Sequence, residues 1–250
     1  MGLFVREDPL YNEAHRMTGF NRYKQLMSFH AGNWIKANLL TTLGFIPLGT
    51  AAVISLLSSS SLVMLGGGLL GGIIFGPFLA ALMKSVMSEM MDSPADFWET
   101  YRKGLKQNLK SGLLPGGLCG LLGGMFLFMA YMLMEARVAP SAGTLALYAF
   151  ALFLFLFFNT LLWPQLVLFD LDPVSRIRNI LLFGSKYFWK VTKAVLMELL
   201  WIGVLIIFAP ITFLVIPFLG FWFIILVSQL MFYEELNSEL KIEELYGITR

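Results

Sequence analysis

The chain has 250 residues, of which 58% are hydrophobic and 14% are charged, and its formal net charge is +2. Water-soluble domains are ordinarily about 45–50% apolar and about 25% charged, so this chain has too few charged residues to cover a soluble surface of its length. The composition therefore excludes an ordinary soluble globular domain, and we expect no nucleic-acid partner. It predicts an all-α polytopic membrane protein.

The first 33 residues are predicted to form a cytosolic flank. Charged residues, among them Arg6, Glu7, Asp8 and Arg16, interrupt this stretch, and it lacks an apolar run of the length found in secretory signals. We therefore expect the first membrane span to serve as an uncleaved insertion signal.

Six stretches are apolar over the length that a helix needs to cross a bilayer, about 20 residues. The predicted membrane domain covers residues 34–233. Its helices are placed at about 35–57, 62–83, 113–134, 144–169, 194–210 and 213–233. The last two divide one long apolar segment at its prolines, Pro210 and Pro217. Residues 234–250 are predicted to form a cytosolic tail.

Lysine and arginine fall on one side of this six-helix arrangement. Seventeen of the 18 basic residues lie in the two flanks, at the inner end of helix one (Lys36) or in the connections after helices two and four, and Arg137 is the exception. Cytosolic segments of membrane proteins are enriched in these residues. The pattern predicts that both termini are cytosolic and that the protein lies in a bacterial inner membrane.

Two cytosolic connections are predicted to form amphipathic helices, at about 94–110 and 173–191. Ser93-Pro94 and Asp172-Pro173 are typical helix starts, with a capping side chain followed by proline. Aromatic residues opposite basic ones favour a position in the membrane interface, and packing on other cytosolic elements is the alternative. The residues expected to meet anionic headgroups are Arg102, Lys103, Lys106, Lys110, Arg176, Arg178, Lys186 and Lys190. Asp8-Pro9 in the N-terminal flank is a looser version of the same start, so the sequence predicts three units, each an in-plane helix followed by a transmembrane hairpin.

Glycines recur at every fourth position in predicted helices two and three. The two sets are Gly68, Gly72 and Gly76, and Gly116, Gly120 and Gly124. Such small faces let helix backbones approach closely. We expect tight packing of these helices, with Gly76 and Gly120 at similar depth. The alternative is a broken helix around Gly66-Gly67-Gly68 that lines a substrate cavity, as in some transporters.

Three polar residues within the spans form a candidate intramembrane site: Glu198, Asn159 and Gln229. Ionisable groups within spans are functional candidates by default. Glu198 lies about one turn inside the predicted inner boundary, so we favour a structural pairing with water or with Lys36, Lys84 or Lys193. Asn159 and Gln229 are expected to form interhelical hydrogen bonds.

Motifs of catalysis are missing from the sequence. Both histidines, His15 and His30, lie in the N-terminal flank, and the lone Cys119 is expected to be a packing residue. There is no HExxH, no P-loop and no GxSxG. We expect no metal, no cofactor and no enzymatic activity, so an ATP-driven role would require a separate ATPase subunit.

Short motifs in the first half of the chain resemble those of the YesL family of bacterial membrane proteins. They are Asn38-Leu39-Leu40, Ile46-Pro47, Gly76-Pro77, Ala81-Leu82, Phe97 and Lys106-x-Asn108. The resemblance covers about residues 20–235 and includes the proline-rich final hairpin. It implies an accessory role in carbohydrate uptake, beside an ABC-type (binding-cassette) transporter, and it assigns no functional residue.

Two hypotheses follow. The first is a non-enzymatic accessory protein whose basic helices meet anionic lipid or a transporter subunit. The second is a stand-alone small-molecule transporter or channel. Only the second predicts a polar or hydrated cavity near Glu198, Asn159 or Gln229.

Overall fold

A computed structural model describes residue 17 and residues 19–93, 96–135, 139–208 and 211–247, and over these residues the protein is all-helical. The helices in chain order are α1 (Gly19–Ser58), α2 (Ser61–Met90), α3 (Phe97–Ser111), α4 (Leu113–Glu135), α5 (Ala142–Leu168), α6 (Pro173–Lys186), α7 (Phe188–Ile207), α8 (Thr212–Leu219), α9 (Trp222–Leu230), α10 (Tyr233–Leu240) and α11 (Ile242–Leu245).

Four of the described helices, α1, α2, α4 and α5, are long and apolar enough to cross a membrane. The protein is therefore an all-helical protein of the membrane type. Helix α7 has 20 residues and is apolar over its second half, but it carries Lys190, Lys193 and Glu198. Helices α8 and α9 have 8 and 9 residues, so neither is long enough to cross alone.

Helix α2 is the centre of the bundle, because it packs against α1, α3, α4, α5 and α9. It joins α1 through Ser59 and Ser60 alone, and the Ser60 side chain caps it by accepting a hydrogen bond from the Val63 N–H at 3.4 Å. Helix α2 is continuous through Gly66-Gly67-Gly68, so the broken helix considered at that point is wrong.

The glycine faces of α2 and α4 meet directly. A Cβ atom on Gly72 would lie 2.3 Å from the Gly116 carbonyl oxygen, and one on Gly120 would lie 2.3 Å from the Gly68 carbonyl oxygen. Contacts this short leave no room for any side chain. Gly76 faces Gly112 and Gly116 rather than Gly120, so the expected depth match is wrong by about one turn. The reason is that α2 extends to Met90, beyond the predicted end at 83.

Helix α3 packs one face on α2. Phe97, Tyr101, Gly104 and Asn108 are buried, whereas the basic residues on its other face are exposed. Its N-cap is Asp96, whose side chain accepts from the Glu99 N–H at 3.1 Å, and not Ser93 as predicted. Pro94 and Ala95 lie outside the described residues.

Helix α6 begins as its sequence indicates, with Asp172 as N-cap and Pro173 in the first turn. It ends at Lys186, and α7 begins after Tyr187, so the predicted helix over 173–191 is two helices. Lys186 forms an ion pair of 2.7 Å with Glu239 of α10, and Lys190 pairs with Glu235 of the same helix. Their charges are therefore engaged by protein, and the expectation that these two lysines face lipid headgroups is corrected.

The predicted last span, residues 213–233, is divided. Helix α8 ends at Leu219, Gly220 and Phe221 interrupt the chain, and α9 starts at Trp222. A discontinuous helix therefore exists in this protein, in the last apolar segment rather than in the glycine-rich part of α2.

Candidate intramembrane site

Glu198 lies in the middle of α7 and faces α5. Both of its carboxylate oxygens are 3.0 Å from the Thr160 hydroxyl oxygen. That hydroxyl oxygen is also 2.8 Å from the Leu156 carbonyl oxygen, one turn earlier in α5. A hydroxyl has one hydrogen to donate. Either the hydroxyl donates to a charged Glu198 carboxylate, or it donates to the Leu156 carbonyl oxygen and accepts a hydrogen bond from the O–H of a neutral Glu198.

No ion pair between Glu198 and a lysine or arginine occurs among the described residues. The Lys84 amine, one of the three partners expected for it, donates instead to the Gln107 side-chain oxygen. Of the expected pairing with water or with Lys36, Lys84 or Lys193, the lysine part is therefore wrong for the described residues. The polar partners of the carboxyl are instead the neutral hydroxyls of Thr160 and Ser228.

Gln229 of α9 lies beside the same turn of α5. Its Nε2 donates to the Thr160 carbonyl oxygen at 3.1 Å, which ties α9 to α5. Its Oε1 is buried and has no hydrogen-bond partner, although the residue is only 1% exposed. A buried acceptor without a donor costs about 1–3 kcal/mol, so a native structure that retains one calls for an explanation.

Asn159 of α5 is joined to α4 by a hydrogen bond to its side-chain oxygen. The Cys119 thiol donates to its Oδ1 at 2.7 Å, and its Nδ2 donates to the Phe155 carbonyl oxygen at 2.8 Å. Cys119 is thus a packing residue with one polar contact.

A cavity of about 170 Å³ joins these groups. Glu198, Asn159 and Gln229 all line it, so the three polar residues selected from the sequence meet at one place. Thr160 and Ser228 add hydroxyl groups, and aromatic side chains complete the wall. The aromatic lining residues are Trp163, Trp201 and Phe221. Sequence reasoning did not select Thr160 and Ser228, because single hydroxyl residues in an apolar helix carry no distinctive pattern.

The break between α8 and α9 borders this cavity through Phe221. Asn38 of α1 fills the break: its Nδ2 donates to the carbonyl oxygens of Ile216 and Pro217 at 2.7 and 2.8 Å, and its Oδ1 accepts from the N–H groups of Phe221 and Trp222 at 2.9 and 3.1 Å. Within a membrane every backbone polar group must be satisfied by protein. Asn38 does this for the break, although the sequence shows it only as a polar residue in an apolar stretch.

Trp201 closes the break from the α7 side. Its Nε1 donates to the Gly220 carbonyl oxygen at 3.0 Å, and its ring lies 4.8 Å from that of Phe223. The indole is therefore fixed between the interrupted helix and the cavity.

A larger groove, of about 1060 Å³, lies between the start of α1 and the α9–α10 segment. Several polar side chains on its wall already have protein partners: Arg22 pairs with Asp92 at 2.5 Å, and the Tyr233 hydroxyl donates to Glu243 at 2.7 Å. We assign the candidate site to the smaller cavity, because it combines an ionisable group inside an apolar helix with an unsatisfied buried acceptor.

No protein-family model matches the chain, and neither the curated proteins nor the solved structures include a significant match. The fold and the site define the class at the level of an all-helical membrane protein with a mostly apolar cavity that Glu198, Asn159 and Gln229 line. The resemblance to the YesL family stays a prediction.

Proposed function

We propose that the protein is a transport protein of the bacterial inner membrane that couples movement of a small solute to protons at Glu198. The observation that carries the proposal is that this carboxyl faces a cavity and has a hydroxyl, not a cation, as its partner. A charged carboxylate within a membrane span is costly unless a proton or a positive charge compensates it. Glu198 is therefore neutralised by a proton or by a cationic solute.

Thr160 provides a means for the carboxyl to change its charge without moving far. With Glu198 charged, the Thr160 hydroxyl donates to it; with Glu198 neutral, the carboxyl donates to the hydroxyl oxygen, and the hydroxyl hydrogen turns to the Leu156 carbonyl. Both states keep their hydrogen bonds satisfied. A site of this kind suits repeated protonation and deprotonation.

The interrupted α8–α9 segment also supports transport. Discontinuous helices in transporters are found where the substrate and coupling ions bind. We propose that α7 forms the fifth span and that α8 and α9 together form the sixth. The charge distribution supports six spans with both termini cytosolic, because α3 and α6 then lie on the basic side.

The size of the cavity limits the solute. At about 30 Å³ for each water molecule in the liquid, 170 Å³ holds about five or six waters. Bonded atoms occupy less volume than separate water molecules, and an apolar cavity of about 150 Å³ holds benzene, so a small ion or amine fits here and a disaccharide does not.

The accessory role beside an ABC-type transporter is the second proposal, and the exposed basic face of α3 is the feature that favours it. Arg102, Lys103, Lys106 and Lys110 are all exposed on that face, where anionic lipid headgroups or a partner subunit would meet them. Co-purification from native membranes in mild detergent tests this proposal. Recovery of the protein with no transporter subunit would contradict it.

Proton-coupled transport is tested with the full chain in liposomes that contain a pH-sensitive dye. A panel of small cationic, anionic, zwitterionic and neutral solutes is added outside, and protein-free liposomes give the background. We expect at least one solute to change the internal pH in a protein-dependent manner, and Glu198→Gln to reduce this change by at least tenfold. Glu135→Gln, at the exposed end of α4, is the matched control and should retain it. The proposal fails if no solute acts or if Glu198→Gln behaves as the wild type does.

A further inference from the structure

We infer that the cavity beside Glu198 binds a small organic ammonium ion that carries at least one N–H. That the ammonium ion is also transported rests on the proposed function. That it binds rests on the cavity alone. Three properties of the described cavity support it: its hydrogen-bonding groups, its aromatic wall and its volume.

The polar groups left open in the cavity are acceptors. The Glu198 carboxylate has acceptor sites beyond its contact with Thr160, and the Gln229 Oε1 is buried without a donor. The Asn159 Oδ1 already accepts from the Cys119 thiol, and the Gln229 Nε2 already donates to the Thr160 carbonyl oxygen. A ligand that satisfies Glu198 and Gln229 together must be a donor, and positive charge on that donor strengthens both hydrogen bonds.

The aromatic wall favours an organic cation. Trp163, Trp201 and Phe221 line the cavity, and the faces of aromatic rings attract cations, most strongly those of tryptophan. The wall is held in place by its own packing: the Trp201 indole N–H bonds to Gly220, and the Phe221 ring lies 5.2 Å from the rings of both Phe45 and Phe75.

The volume and the small number of oxygen ligands exclude the main alternatives. Mg²⁺ and Ca²⁺ take about six or more oxygen ligands, and the open acceptors here belong to two side chains. A cavity of about 170 Å³ accepts a small organic ammonium ion, because an apolar cavity of about 150 Å³ already holds the six carbon atoms of benzene. Dimethylammonium has the required size, charge and N–H groups.

Binding is measured by isothermal titration of the purified full chain in detergent at neutral pH. Dimethylammonium is the probe, tetramethylammonium tests the need for an N–H, and Na⁺ and tert-butanol test the need for an organic cation. We expect dimethylammonium to bind at least about fivefold more tightly than tetramethylammonium, and Na⁺ and tert-butanol not to bind detectably. Equal binding of all four, or no binding of dimethylammonium, overturns the inference.

Variants assign the binding to this cavity. Glu198→Gln keeps the shape of the side chain and should weaken dimethylammonium binding at least tenfold. Gln229→Met and Trp163→Phe should weaken it about threefold to tenfold, whereas Trp98→Leu, on the exposed side of α3, should leave it unchanged. Thermal unfolding and gel filtration verify that each variant is folded before its affinity is compared with that of the wild type. Unchanged affinity in folded Glu198→Gln would also overturn the inference.

The binding and transport experiments can fail separately. If dimethylammonium binds but no solute moves protons in liposomes, the ammonium site stands and the proposed transport fails. If another solute moves protons through Glu198 and dimethylammonium does not bind, transport stands and the ammonium site fails.

Discussion

Asn38 and Trp222 are 184 positions apart in the chain, yet the Asn38 Oδ1 accepts the Trp222 backbone N–H at 3.1 Å. The same carboxamide binds the carbonyl oxygens at the end of α8, so one side chain bridges the two ends of an interrupted helix. The rings of Trp34 and Trp222, both buried, lie 5.2 Å apart beside this bridge. The break is therefore a specific hydrogen-bonded junction of α1, α8 and α9 rather than a frayed helix end.

Replacing Asn38 with leucine should destabilise the protein by about 3 kcal/mol. The substitution leaves two backbone N–H groups and two carbonyl groups with fewer partners in a buried place, and each buried unsatisfied group costs about 1–3 kcal/mol. The expected measurement is a fall in Tm of about 10 °C in detergent, from about 2–4 °C per kcal/mol for a chain of this size. Asn179→Leu, at a half-buried position on α6, is the control and should shift Tm by far less. An unchanged Tm for Asn38→Leu would contradict the role assigned to the bridge.

Two glycine-to-alanine substitutions in α2 should have opposite effects. A Cβ at Gly72 would lie 2.3 Å from the Gly116 carbonyl oxygen, so Gly72→Ala must separate α2 from α4 and should cost about 2–3 kcal/mol. A Cβ at Gly66 meets nothing within 4 Å, so Gly66→Ala should be neutral or stabilise by up to about 1 kcal/mol through helix propensity. Thermal unfolding of the two variants in one detergent makes the comparison, and equal effects would show that close backbone approach is unimportant here.

Acidification should release α10 from α6. Hydrogen bonds from Lys186 and from Tyr187 lower the pKa of Glu239. The stability that this contact contributes is present above the ordinary glutamate pKa, about 4.3, and is lost as the pH falls through the lower pKa of the folded state. Amide hydrogen exchange should show that protection of residues 233–240 falls below about pH 4. Lys186→Met should remove most of this pH dependence, and Lys241→Met, which affects an exposed pair with Glu244, should leave it intact.

Tyr101 should stay neutral at pH values that ionise ordinary tyrosines. Burial of α3 against the bundle raises the pKa of Tyr101 to about 12, although its hydrogen bond with Thr41 opposes the shift. At about pH 10, where an exposed tyrosine is half ionised, the ultraviolet difference between the wild type and Tyr101→Phe should show no phenolate from this residue. Above that pH the free energy of unfolding should fall, because the phenol ionises more easily in the unfolded chain. A difference signal that titrates near pH 10 would show that Tyr101 is not buried.

The sequence predicted the long apolar helices because their signal is local: each consists of about 20 or more apolar residues in succession. It did not predict the break at Gly220, since the groups that stabilise it, Asn38 and Trp201, belong to other helices. The glycine spacing predicted which faces of α2 and α4 meet. The register between them was missed, because it depends on how far α2 continues past the membrane boundary.

The basic residues show the same limit. Arg102, Lys103, Lys106 and Lys110 are exposed as their helical pattern predicts. Lys186 and Lys190 have the same pattern, but their partners Glu239 and Glu235 lie 53 and 45 residues further along the chain. The sequence predicted three residues of the candidate site, Glu198, Asn159 and Gln229, because acids and amides are rare in apolar spans. The identity of the Glu198 partner depends on which turn of α5 faces α7, and no local pattern encodes it.

Helix α1 has 40 residues without interruption. At 1.5 Å per residue it is about 60 Å long, about twice the thickness of the hydrocarbon core. Asn38 is close to its midpoint, so the junction with α8 and α9 holds α1 near its centre. A tilt of about 10° about that point would carry the two ends about 5 Å in opposite directions. Arg22, near one end, is bonded to Asp92 at the end of α2, so any such tilt would pull on the turn that leads into α3.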